Sequence, residues 1–320
     1  MAGHTRACSQ PHVPAPGIWA PAITFFHPVT DSLDLPSQAK YYQYLSHHLT
    51  GLVILGTNAE TFLLTREERS ALLRTAREAV GPAYPLMAGV GGHSTKQVLE
   101  YIGDAAEAGA DYVLVLPCAY FGKATTGGVV RGFYEEVAGR SPLPVVIYNF
   151  PGVCNGVDID SDLITALAKK QKNIVGVKLT CASVGKITRL AASFAPSDFA
   201  IYGGQSDFLL GGLSVGSAGC IAAFANVFPK TIKRVYDLYH SGDHAEALRI
   251  HRIAALAESL SKSGIANTKF AAALTSAKAA GVEDAEEKLR PRRPYEGVDE
   301  ATKKDIRRLM EEMIKIEDSL

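Results

Sequence analysis

From residue 17 onward, short apolar runs alternate with longer stretches in which apolar residues return every three or four positions. The runs of strand length stand at 20–26, 51–55, 86–90, 112–116, 145–149, 174–179, 199–202 and 219–224. Several are rich in β-branched residues and show no polar alternation, the pattern of parallel strands covered on both faces. Between them, 36–49, 66–80, 94–108, 129–137, 161–170, 183–194 and 208–215 carry a helical period. In 66–80, Leu72, Leu73, Ala76 and Val80 form one apolar stripe, and Thr65-Arg66-Glu67-Glu68 supplies a capping box at its start. Eight strands each followed by a helix is the rhythm of an α/β fold of the (β/α)8 TIM-barrel type, expected here over 17–239. The rival is a doubly wound open sheet. It calls for a Gly-x-Gly-x-x-Gly turn after the first strand, and His27-Pro28-Val29-Thr30 does not supply one.

After the eighth strand the alternation stops. Segments 231–240, 243–261, 265–280 and 299–316 are helical candidates with no strands between them, and Arg290-Pro291-Arg292-Arg293-Pro294 breaks the chain before the last. The expectation is a C-terminal helical extension, 240–320, packed on the barrel. At the other end, 1–16 holds Pro11, Pro14 and Pro16 without an apolar core and reads as a flexible arm.

Composition narrows the class. The 320 residues balance 33 Lys and Arg against 33 Asp and Glu, so neither a nucleic acid nor an anionic membrane is expected as a partner. An apolar fraction of 47%, with no uninterrupted apolar run near the roughly 20 residues that span a bilayer, fits a soluble protein. Five scattered cysteines without a Cys-x-x-Cys pair favour reduced thiols inside a cell. Arg6 is the only arginine of the opening stretch, which counts against a cleaved targeting segment. A cytoplasmic protein is therefore expected, with a mitochondrial location left open. The nine histidines show no metal-ligand spacing, so no metal is expected.

Barrel active sites sit at the C-terminal ends of the strands. There the chain places Gly56-Thr57-Asn58-Ala59-Glu60, Pro117-Cys118-Ala119-Tyr120, Tyr148-Asn149-Phe150-Pro151, Lys178 and Gly203-Gly204-Gln205-Ser206. Withdrawal from water disfavours an ammonium relative to a free amine, and a free amine can attack a ketone to form a Schiff base. Plainer readings exist for each residue. A strand-end lysine such as Lys178 can snorkel to solvent, Tyr148 can be a rim aromatic and Thr57 a turn residue. Glu60 reads as part of a solvated helix start and Ser206-Asp207 as a helix cap. Cys118, Cys154 and Cys181 fall near strand tops, but no histidine partner is placed beside them.

Gly56-Thr57-Asn58-Ala59-Glu60, Tyr148-Asn149-Phe150-Pro151 and Gly176-Val177-Lys178 together resemble motifs of the dihydrodipicolinate synthase and N-acetylneuraminate lyase superfamily, in order and spacing. These are class I, pyruvate-dependent aldolases built on a barrel with helical extension, usually homotetramers arranged as dimers of dimers. The resemblance implies that Lys178 forms the Schiff base and that Tyr148 shuttles protons, with Thr57 bridging a tyrosine relay. It also implies that the backbone of Thr57 and Asn58 holds the pyruvyl carboxylate, and that Tyr120 reaches a neighbouring subunit's site. Gly204 and Ile221 fall where the family approaches the substrate with backbone atoms. No metal or organic cofactor is implied, the covalent imine to Lys178 doing that work.

The departures also inform. Val153 stands where dihydrodipicolinate synthases place an arginine for the aldehyde's carboxylate, and loss of that fork disfavours synthase activity. Asn58, and Asn155 before Gly156, make the chain more similar to 4-hydroxy-2-oxoglutarate aldolases and 2-keto-3-deoxy sugar-acid aldolases. Asn155 is accordingly expected at the substrate. The function expected is a carbon–carbon lyase that cleaves or forms a 2-oxo acid with pyruvate as one partner and an aldehyde as the other. A catalytically weak paralogue that binds a 2-oxo acid is the alternative, motivated by Ala59 in place of the loop's usual glycine. A metal-dependent aldolase is a third.

Overall fold

The computed structural model describes residues 12–320. Eight parallel strands close into a barrel in chain order: β1 Gly17–Pro21, β2 Gly51–Ile54, β3 Leu86–Gly89, β4 Tyr112–Val115, β5 Val145–Asn149, β6 Ile174–Leu179, β7 Ala200–Gly203 and β8 Gly219–Ile221. The connecting helices are α1 Leu35–Ser46, α2 Arg66–Val80, α3 Thr95–Glu107, α4 Gly127–Arg140, α5 Ser161–Lys170, α6 Val184–Ser193, α7 Leu209–Leu213 and α8 Pro229–His240. The open-sheet rival is thereby excluded, and α2, β5, β6 and α5 match the expected bounds.

β1 departs from its pattern. It begins at Gly17 and ends at Pro21, whereas the apolar run ends at Phe26. Residues 22–26 are buried irregular chain: Phe25 N–H donates to the Gln38 side chain at 3.0 Å and Thr24 Oγ1 to Ala59 O at 2.8 Å. Burial alone made them look like strand. The C-terminal helices are α9 His244–Ser261, α10 Ile265–Leu274, α11 Ser276–Ala279, α12 Ala285–Lys288 and α13 Glu300–Ser319. The single helix expected over 265–280 breaks at Thr275, whose hydroxyl lies within bonding distance of Val227 O at 2.9 Å and of Ala271 O, in the same helix, at 3.1 Å.

Two apolar layers follow from strand alternation. Val146 and Tyr148 point into the barrel, Val145 and Ile147 towards the helices. On β6 the register slips: Val145 pairs with Ile174 but Val146 with Gly176, leaving Val175 as an extra residue. This bulge re-phases the strand. Strict alternation from outward-facing Ile174 would turn residue 178 outward; with the bulge, Lys178 pairs beside Tyr148 on the inner face.

The floor of the barrel holds Trp19, Tyr112 and Tyr202. Trp19 Nε1 donates to Ala15 O at 3.1 Å, Tyr202 OH to Ala15 O at 2.7 Å and Tyr112 OH to Val13 O at 3.4 Å. Residues 13–15 of the expected flexible arm are thus tied to the barrel floor by its three polar aromatics, while 1–11 and Cys8 lie outside the described residues. Among the described residues, no helix is long and apolar enough to cross a membrane.

At the opposite mouth the C-terminal extension is latched on. Arg292 Nη2 donates to Glu68 Oε1 at 2.8 Å and Nε to Asp31 Oδ2 at 3.2 Å, joining residue 292 to α2 and to the loop after β1. Lys269 of α10 reaches Glu60 in the loop after β2.

Candidate active site

A cavity of about 250 Å³ opens at the C-terminal ends of the strands, lined by Thr57, Asn58, Tyr148, Lys178 and Gly204 among others. Lys178 is 2% exposed, which removes the snorkelling reading. Its Nζ lies 4.2 Å from the centre of the Tyr148 ring, and Tyr148 OH is 3.5 Å from Thr57 Oγ1. Amine, phenol and hydroxyl come from β6, β5 and the loop after β2. Glycine stands two residues before Lys178 for a steric reason: a Cβ at Gly176 would stand 2.6 Å from Ala200 O of β7. A side chain there would push the lysine-bearing strand off its neighbour.

The loop carrying Thr57 is a 3₁₀ turn, Thr57–Ala59. Ala59 N–H donates to Gly56 O and Glu60 N–H to Thr57 O, each at 3.0 Å, so the N–H groups of Thr57 and Asn58 are those such a turn leaves free. Ala59 is not the strained position. Glu60 is, at φ 56°, in the left-handed region. The reservation about Ala59 therefore has a structural answer, since no glycine conformation is required of it. Glu60 also overturns its surface reading. It is 5% exposed, accepts from Lys269 Nζ at 2.5 Å through Oε1 and from Arg292 N–H at 2.7 Å through Oε2, and these bonds hold the turn.

Other expected residues lie elsewhere. Ile221 is fully buried in the barrel interior, off the cavity wall. Asn155, at φ 50°, donates to Ala119 O at 2.6 Å and to Tyr120 O at 3.2 Å. Its amide clamps the loop after β5 to the loop after β4, and it does not line the cavity. Tyr120 is 71% exposed and also off the wall, its ring packed against His93 and Phe121 at 5.7 and 5.3 Å. Val153 lines the cavity mouth at 46% exposure. Asn149, the motif asparagine, donates to Asp158 Oδ1 at 2.6 Å and accepts from Ile159 N–H at 2.9 Å, fixing the path after β5. Partial burial raises Asp158, but hydrogen bonds from Lys186 and Asn149 outweigh it and hold the carboxyl below its usual range.

Cys154 and Cys118 are not poised as nucleophiles. Burial pushes Cys154 up to about 12 and raises Cys118 as well. Among the described residues there is no group of three His, Cys, Asp or Glu side chains arranged to hold a metal ion.

Several wall residues carry no expectation from the sequence. Thr180 Oγ1 is a buried oxygen with no hydrogen-bond partner, and Gly204 must be glycine because a Cβ there would stand 2.0 Å from that atom. Glu258, Ser261, Lys262 and Thr268 arrive from α9, α10 and the turn between them. Glu258 is 2% exposed and accepts from Ser206 Oγ at 2.6 Å and Ser206 N–H at 3.3 Å. Ser206 is thus a partner of Glu258 and not a helix cap; Phe208 holds the cap position of α7 without a side-chain bond. No motif spacing links residue 258 to barrel strand ends, so only the fold brings it in.

The chain belongs to the dihydrodipicolinate synthetase family, whose model matches residues 16–313. It is 68% identical over 311 residues, 97% of this chain and 99% of the other, to a mitochondrial protein of Coccidioides immitis provisionally named a 4-hydroxy-2-oxoglutarate aldolase. It is 38% identical over 276 residues, 82% of this chain and 87% of the other, to the L-threo-3-deoxy-hexylosonate aldolase of Hypocrea jecorina. Its fold matches a crystal structure of a dihydrodipicolinate synthase family protein from Coccidioides immitis with TM-score 0.92 and 64% identity, covering 98% of this chain and all of that one.

Proposed function

We propose that this protein is a class I aldolase, a carbon–carbon lyase that cleaves or forms a 2-oxo acid with pyruvate as one product or substrate. The observation that carries the reading is Lys178, buried in the strand-end cavity with its Nζ 4.2 Å from the Tyr148 ring. The aldolase names of relatives at 68% and 38% identity support it.

In the cleavage direction, the free-amine form of Lys178 attacks the C2 ketone, and the carbinol hydroxyl takes one proton from solvent and leaves as water, giving a protonated imine. The free N–H groups of the Thr57–Ala59 turn receive the substrate carboxylate. Tyr148 takes the proton of the C4 hydroxyl as its own phenol proton passes to Thr57 and a Thr57 proton moves on to solvent; their 3.5 Å separation is one that substrate binding would shorten. The C3–C4 electron pair then moves into the imine, releasing the aldehyde and leaving an enamine. Tyr148 returns a proton to C3, and hydrolysis of the imine, which releases the proton taken up when it formed, frees pyruvate and Lys178. The imine nitrogen is the electron sink, so this sequence calls for no metal and no organic cofactor. Dihydrodipicolinate synthase activity is disfavoured by Val153 at the cavity mouth, which offers no guanidinium to an incoming carboxylate.

The homotetramer remains part of the proposal. Phe62, Tyr120 and Phe121 stand exposed around His93, an aromatic patch suited to burial by a second subunit, which would carry Tyr120 towards a neighbouring site. The name of the Coccidioides immitis relative supports the mitochondrion beside the cytoplasm as a location.

The test is chemical. Incubation with pyruvate and borohydride should leave a reduced adduct on Lys178, located by peptide mass spectrometry. An unmodified Lys178 under conditions that trap a known class I aldolase would overturn the mechanism.

A further inference from the structure

Glu258 shares the cavity with Lys178 but takes no part in the imine steps. It comes from α9 of the C-terminal extension, and both of its bonds go to one residue, Ser206. A carboxylate offers about four acceptor sites. Two are filled here, and burial denies the others bulk water.

The charges around the cavity limit what else can bind there. Among its lining residues the cations are Lys178, whose nitrogen is bonded to C2 of the substrate in the imine, and Lys262, which is already ion-paired with Asp207. Val153 supplies none. A substrate ending in a second carboxylate would find no unpaired cation and would share the cavity with Glu258. The remaining polar wall consists of neutral hydrogen-bonding groups: Gln205, Ser261, Thr268 and Thr180, whose hydroxyl has no partner.

We propose that Glu258 selects the aldehyde half of the substrate, its carboxyl accepting a hydroxyl of a polyhydroxylated chain, so that 2-oxo-3-deoxy sugar acids are preferred to substrates with a second carboxylate. This rests on the imine reading above. Burial pushes the Glu258 carboxyl up to about 7, as expected of a carboxylate short of donors, and a substrate O–H donates what is missing. The acceptor also discriminates strongly, because a site built to bind a hydroxyl is left with an unpaired buried group when the ligand lacks one.

The test compares kcat/KM, read as pyruvate release, for a 2-oxo-3-deoxy hexonate and for 4-hydroxy-2-oxoglutarate. Wild type should favour the sugar acid. E258A should lower its kcat/KM roughly 10- to 100-fold, mainly through KM, while the dicarboxylate holds level or gains. E258Q keeps the size and one acceptor, should shift the ratio in the same direction by less, and answers the question if E258A does not fold. Borohydride trapping of pyruvate, run on each variant, separates the two claims. An adduct together with a wild-type preference for the dicarboxylate, or with equal losses on both substrates, overturns the role of Glu258 and leaves the imine standing. No adduct in wild type overturns both.

Discussion

Glu60 Oε1 and Lys269 Nζ lie 2.5 Å apart, with both side chains removed from water. The pair joins the turn that carries Thr57 to α10, and Lys269 also donates to Arg290 O at 2.9 Å. Burial pushes the Lys269 ammonium down, and Glu60 opposes it. Desolvation offsets most of the attraction within such a pair, but removing one partner strands the other charge. Lys269→Met should therefore destabilise the protein by about 3–5 kcal/mol in urea unfolding. The double variant with Glu60→Leu should recover much of that stability yet still lose turnover, because the left-handed turn at Glu60 is no longer held. Full activity in the double variant would show that the pair does not position Thr57.

Replacement of Lys178 by Met should abolish adduct formation and reduce turnover by about 10⁴-fold or more, with a folded protein by circular dichroism. Tyr148→Phe should still form the adduct but lose on the order of 10²–10⁴ in kcat, the usual worth of a general acid–base group. Undiminished kcat in Tyr148→Phe would move proton transfer to another residue.

Gly176→Ala places a Cβ 2.6 Å from Ala200 O. The backbone of β6 or β7 must yield, which displaces Lys178 two residues on. Trapping by pyruvate should slow roughly 10-fold or more, beyond the loss expected from stability alone. Rates equal to wild type would show that the strand absorbs the methyl elsewhere.

The Glu258 carboxyl is raised from 4.5 to about 7 in the folded chain. Between those values the native state holds a proton that the unfolded state has lost, so this group contributes stability at low pH that disappears as pH rises to about 7. At roughly 1.4 kcal/mol per pH unit the effect is at most about 3.5 kcal/mol. Melting temperatures of wild type and E258Q, compared at pH 5 and pH 8, should show wild type gaining relative to the variant at pH 5. A difference that does not change with pH would contradict the shift.

Asn155 carries a prediction of its own, because its amide bridges the loops after β4 and β5. Without its amide the loops after β4 and β5 lose two hydrogen bonds. Asn155→Ala should cost about 1–2 kcal/mol in stability and leave the KM for 2-oxo acids within about twofold. A large rise in KM with stability intact would restore the substrate-binding reading.

Much of the site was legible because its residues stand at strand ends within short motifs. The order of apolar runs places Lys178, Tyr148, Thr57, Asn58 and Gly204 at strand ends, and the resemblance of their motifs singles them out. Glu60 and Ser206 were misread because a polar residue after a strand looks the same whether it faces water or a buried partner about 50 or 200 positions away. Glu258 lay in a helix with no visible relation to the barrel at all.

The sequence by itself determined the barrel, its helical extension and the strand-end motifs on which the imine proposal stands, because period and motif are local properties. Only the tertiary structure decided how they meet. The bulge at Val175 turns Lys178 inward, Glu60 and Lys269 lock a loop to a helix far along the chain, and α9 brings Glu258 to the cavity. Each depends on contacts between distant segments, whose cost and compensation are settled by burial after the chain has closed.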